Sequence, residues 1–99
     1  MLPTTPSRNL LALGGTVFAD QSDEAWLAVM EAALPNGINH FDTATGYGNG
    51  RSETLIGQFL HAVPGRRDTI FLASKASPSE MTAPAMLAQV AQSLARLQT

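Results

Sequence analysis

Three polar residues in this 99-residue sequence combine types and spacing that suit proton transfer: Asp42, Tyr47 and Lys75. Asp42 closes the strand candidate Ile38 to Phe41, and Lys75 closes another, Thr69 to Ser74. Tyr47, the only tyrosine, follows Asp42 in a loop that also carries Gly46, Gly48 and Gly50. A free phenol has a pKa near 10, too high for efficient proton exchange at neutral pH. An ammonium beside it favours the phenolate, and a carboxylate beside the ammonium keeps that ammonium charged and in place. Such a trio could pass a proton to or from a carbonyl or alcohol oxygen. The plainer alternative is a structural ion pair between two strand ends, with Tyr47 a loop aromatic.

The remaining sequence narrows the chemistry. There is no cysteine, which removes disulfides, thiolate metal sites and thiol nucleophiles together. His40 and His61 show no ligand spacing, so no metal is expected. The glycine loop suggests a dinucleotide-binding turn, but a G-x-G-x-x-G pattern would need glycine where Arg51 or Glu53 stands. No Lys-Ser/Thr ending of a phosphate-binding P-loop follows it either. A net charge of −2 offers no basic patch for nucleic acid. The longest apolar run at the start, Leu10 to Leu13, is far too short to span a membrane, and Met1 to Pro6 lack the pattern of a signal peptide. A cytoplasmic protein is the expectation.

The elements that must position the trio follow from periodicity. Leu10 to Leu13 reads as a buried strand stopped by Gly14-Gly15. Ser22 and Asp23 offer cap oxygens to a helix running to Leu34, with Trp26, Val29, Met30 and Ala33 as its apolar stripe. Ile38 to Phe41 is the second strand. Ser52 opens the second helix, to Ala62, with Leu55, Ile56, Phe59 and Leu60 inward. Thr69 to Ser74 is the third strand, and Ala85 to Leu97 the third helix, with Met86, Val90, Leu94 and Leu97 on one face. The order β-α-β-α-β-α, with only 14% charged residues, predicts an α/β fold with a buried parallel sheet. In a closed (β/α)8 TIM barrel the C-terminal strand ends converge on one rim, which would bring Asp42, Tyr47 and Lys75 together.

Among the other residues, Glu53 reads as a carboxylate at a helix N-terminus, favoured by the dipole. Gly57 reads as allowing close helix–sheet packing, Trp26 as core, and Arg66-Arg67 as a solvated turn. The last helix shows no stop signal before Thr99, and three parallel strands cannot close on themselves. The chain reads as cut short of a full barrel, with open sheet edges through which it could self-associate.

The run Gly37-Ile38-Asn39-His40-Phe41-Asp42-Thr43-Ala44, then Tyr47-Gly48, Ser52-Glu53 and Leu55-Ile56-Gly57, resembles the signature of aldo-keto reductases. Ile70 to Lys75 resembles that family's third strand with its lysine, and Leu13-Gly14-Gly15-Thr16 the turn after its first strand. The resemblance implies the three N-terminal βα units of a (β/α)8 barrel, within one partial domain spanning residues 1–99. It implies hydride transfer from NADPH to an aldehyde or ketone, a small-molecule carbonyl substrate. Tyr47 would be the general acid, Lys75 its charge partner and Asp42 the anchor of Lys75. Gly15, Thr16, Val17 and Asp42 would border the cofactor, although Val17 stands where the family often has an aromatic residue. A histidine ending a fourth strand would complete the site, and the phosphate-binding loops would follow strands seven and eight. None of these falls within the 99 residues. The alternative is a catalytically inert remnant or interaction module with the same fold.

Overall fold

The computed structural model describes residues 10–16, 20–78 and 82–99. Three strands, β1 (Ala12–Gly14), β2 (His40–Asp42) and β3 (Phe71–Ala73), form one parallel sheet in the order β1-β2-β3. Leu13, Phe41 and Leu72 lie in one register across it. Three helices, α1 (Asp23–Ala33), α2 (Arg51–Ala62) and α3 (Ala83–Leu97), follow the strands in turn. The expected α/β order is therefore present, with shorter strands than the apolar runs suggested. The first strand sits two residues later than expected, and Leu10 and Leu11 lie exposed before it.

The core is one cluster built from Trp26 and Met30 of α1, Phe41 of β2, Ile56, Phe59 and Leu60 of α2, and Ile70 before β3. Phe41 and Phe59 stack with ring centroids 5.7 Å apart, joining the sheet to α2. Val29, expected on the α1 stripe, lies outside the core. On α3 only Leu97 is buried; Val90 and Leu94 remain about half exposed along the side of the helix expected to be covered. Among the described residues, no helix is long and apolar enough to cross a membrane.

The helix ends follow local chemistry, with three corrections. Ser22 caps α1 as expected, its hydroxyl accepting from the Ala25 N–H at 3.1 Å. Ser52 does not cap α2. That helix opens from Gly48, Asn49 and Gly50, three successive left-handed residues, and the Ser52 hydroxyl turns inward to hydrogen-bond with that of Thr43 at 2.7 Å. Helix α3 begins at Ala83, with Thr82 as its cap and Pro84 in the first turn, where its missing N–H costs nothing. It also has a stop. Gln98 adopts the left-handed conformation, and the Thr99 N–H reaches back to the Leu94 carbonyl at 3.1 Å. That is a Schellman-type end made by a residue whose side chain does not advertise it.

Gly57 serves helix–helix contact instead of helix–sheet packing. A Cβ there would lie 2.2 Å from the Arg96 carbonyl oxygen, so only a bare backbone lets α2 and α3 approach this closely. Arg66 and Arg67 are not merely solvated. Arg66 lies 4.0 Å above the Phe59 ring, donates to the Phe59 carbonyl and pairs with Glu31. Arg67 donates to the Ile70 carbonyl and to the Thr99 hydroxyl. The guanidinium stems thereby cover apolar surface at the base of α2.

Candidate active site

Asp42 is the last residue of β2, and Lys75 follows β3 by two residues. The parallel ladder continues past the strand ends: the Thr43 N–H donates to Ala73 O at 2.8 Å, and the Thr45 N–H to Lys75 O at 2.9 Å. This extension carries Lys75 beside the exit of β2, where its Nζ pairs with Asp42 Oδ1. The same Nζ lies 5.4 Å from the centre of the Tyr47 ring. Tyr47 is held near both because its own N–H closes a turn onto Ala44 O at 3.2 Å. The structure thus brings together all three residues that the sequence singled out.

The trio is open to solvent, with the Lys75 and Asp42 side chains 51% and 41% exposed. An ion pair this exposed contributes only about 0–1 kcal/mol to folding. Stability alone is a weak reason for it. Its electrostatic consequence is clearer: the hydrogen bond to Asp42 raises the Lys75 pKa above 10.5, burial opposes it, and the charge of Asp42 and the Tyr47 phenol add to the rise. Lys75 is therefore an ammonium throughout the neutral range, standing beside the phenol.

Gly15 is buried at the end of β1, its N–H donating to the Asp42 carbonyl at 2.8 Å. A Cβ at Gly15 would come within 2.6 Å of Ser52 Oγ and 3.3 Å of Asp42 O, so a side chain here would displace the Ser52 hydroxyl that meets Thr43. Thr16 follows it, exposed at the same end of the sheet. Gly15 also lines a crevice with Trp26, Tyr47, Gly48, Arg51 and Leu55. Val17 lies outside the described residues. Gly15, Thr16 and Asp42 thus share the sheet end occupied by the trio. Among the described residues, no three His, Cys, Asp or Glu side chains cluster as a metal site would require.

One functional group was not foreseen. Glu53 is fully buried, and its Oε1 accepts from Arg96 Nε at 2.9 Å and Nη2 at 2.6 Å. Its Oε2 accepts from the Ser74 hydroxyl at 2.8 Å, one residue before Lys75. Its reading as a dipole-favoured carboxylate accounts for its place in the first turn of α2 but not for these partners, which come from β3's exit and from α3. Arg51, beside it, reaches the other way and pairs with Asp23 at the start of α1.

A model of the Aldo/keto reductase family matches residues 10–99. Among curated proteins, the chain is 38% identical over 64 residues to the aldo-keto reductase YhdN of Bacillus subtilis, covering 65% of this chain and 19% of that one. It is 45% identical over 64 residues to the D-threo-aldose 1-dehydrogenase of a Pseudomonas species, covering 65% of this chain and 18% of that one. Among solved structures, an aldo-keto reductase from Klebsiella pneumoniae in complex with NADPH superposes with a TM-score of 0.79 at 26% identity. That match covers 100% of this chain and 37% of the other, close to the share of three units in an eight-unit barrel. These matches span about a fifth of the length of the two curated relatives.

Proposed function

The chain belongs to the aldo/keto reductase family, and on that footing we propose that it carries the proton-transfer half of an NADP-dependent carbonyl reductase site. The observation that supports this reading is the convergence of Lys75 with Asp42, 33 residues away in sequence, and with Tyr47 in the loop after Asp42, at the C-terminal sheet end. In this reading Tyr47 donates its hydroxyl proton to the oxygen of an aldehyde or ketone as that oxygen gains negative charge. The Lys75 ammonium stabilises the charge left on the phenol. Asp42 holds the ammonium in place. The cofactor supplies the hydride when bound, and Gly15, Thr16, Val17 and Asp42 border it. Residues 1–99 form one partial barrel domain of a cytoplasmic oxidoreductase.

The site is tested in a chimera in which residues 10–99 replace the matching segment of the Klebsiella pneumoniae reductase. The chimera is expected to oxidise NADPH in the presence of a nitrobenzaldehyde, and the 99-residue chain alone is expected to show no turnover. Three strands present no closed rim on which a substrate can be enclosed. Turnover by the chain alone would contradict the assignment of only half a site, and a folded, NADPH-binding chimera without turnover would contradict the proton-transfer role.

A second reading, that the chain acts as an interaction module, draws on a different observation. The edges β1 and β3 are unpaired among the described strands, and Leu87, Val90 and Leu94 of α3 are exposed. On this reading the isolated chain self-associates. Sedimentation velocity is expected to show dimers or larger species, and a monodisperse monomer across the micromolar range would rule the reading out.

A further inference from the structure

On the function proposed above, Lys75 must be held where its ammonium meets both Asp42 and Tyr47. Lysine is a flexible point charge on a four-carbon stem, so its placement depends on the backbone that carries it. That backbone lies beyond the end of β3, held on one side by the ladder hydrogen bond from the Thr45 N–H to the Lys75 carbonyl. Side chains from the helices add to that hold. Ser74 is tied to Glu53, as described, and the Gln89 amide of α3 spans the Ser77 backbone, accepting from its N–H at 2.7 Å and donating to its carbonyl at 3.3 Å. Lys75 thus sits between two anchored serines.

We propose that Glu53 is a positioning residue for the trio: its buried carboxylate, oriented by Arg96, holds the Ser74 hydroxyl and so fixes the backbone from which Lys75 reaches Asp42. The geometry favours direction over mere adhesion. Arg96 holds one carboxylate oxygen with two donors, which leaves the other oxygen to accept from Ser74. Burying a charged pair is costly, and apolar side chains of similar volume commonly hold two helices together as well or better. Ser74 itself is exposed and could satisfy its hydroxyl with water. What the buried carboxylate adds is a fixed acceptor beside Lys75.

Lys75 is the only lysine in the sequence, so acylation of its ε-amine can be followed by peptide mass spectrometry in the intact 99-residue chain. The variants Ser74→Thr and Ser74→Val have nearly the same shape and differ in the hydroxyl. At mildly alkaline pH, Ser74→Val is expected to be acylated about threefold faster than wild type or more, approaching Asp42→Asn, as the amine loses its partner. Ser74→Thr is expected to stay at the wild-type rate. Emission from Trp26, the only tryptophan, is expected to stay unchanged in all of them. A wild-type rate in Ser74→Val beside a fast Asp42→Asn would overturn the positioning role alone. A red-shifted Trp26 emission in Ser74→Val would overturn it too, because the hydroxyl would then be holding the fold instead of the lysine. If Asp42→Asn reacts no faster than wild type, the Asp42–Lys75 pairing fails, and the proposed proton-transfer site fails with it.

Discussion

Replacing Tyr47 with phenylalanine in the barrel chimera is expected to lower the rate of aldehyde reduction by about 10²–10⁴-fold, the range a positioned general acid contributes. The substitution removes one oxygen and leaves the ring, so the crevice that Tyr47 lines with Gly15, Trp26 and Leu55 keeps its wall. Lys75 and Asp42 remain paired, because neither needs the phenol to meet the other. NADPH affinity, read from quenching of its fluorescence, is therefore expected to be unchanged. The loss belongs in kcat, since the proton is given only as the carbonyl oxygen gains charge. A variant that keeps most of the wild-type rate would remove Tyr47 from the mechanism.

The largest expected effect on stability comes from Arg96→Met, at about 3–5 kcal/mol, the cost of leaving a buried charge without its partner. Glu53 is 0% exposed, and the described structure offers it no other cation. A domain of this size has about 5–15 kcal/mol in total, so the variant is expected to lie near the edge of folding. Urea unfolding followed through Trp26, which is buried, provides the measurement. Combining Glu53→Leu with Arg96→Met is expected to recover most of the loss, because no charge is then left inside. A midpoint unchanged by Arg96→Met would show that the pair is weaker than its burial implies.

Much of this architecture was legible in the residues. Short segments rich in apolar residues marked the three strands, and helical spacing marked the helices, because burial enforces both patterns. Asp42, Tyr47 and Lys75 stood out because each is a polar residue at the end of an apolar run or in the loop after it. What stayed hidden were contacts whose partners are far apart in sequence. Glu53 and Arg96 are 43 residues apart, and no periodicity links them. Ser52 was expected to open α2, but the left-handed run at Gly48–Gly50 delivers the chain into a helix that begins at Arg51. Gln98 ends α3 through backbone geometry that glutamine rarely adopts. Arg66 looked solvated until Phe59 was found beneath it. In each case tertiary packing decided what local propensity left open.

Whether Lys75 acts through Tyr47 is read from a double-mutant cycle in the chimera. Lys75→Met and Tyr47→Phe are each expected to reduce kcat strongly. If the two residues form one proton-transfer unit, adding Lys75→Met to Tyr47→Phe should cost little further rate, as with other groups that work as a unit. Losses that multiply, each variant costing as much in the other's background as alone, would contradict the account and leave Lys75 and Tyr47 as independent neighbours.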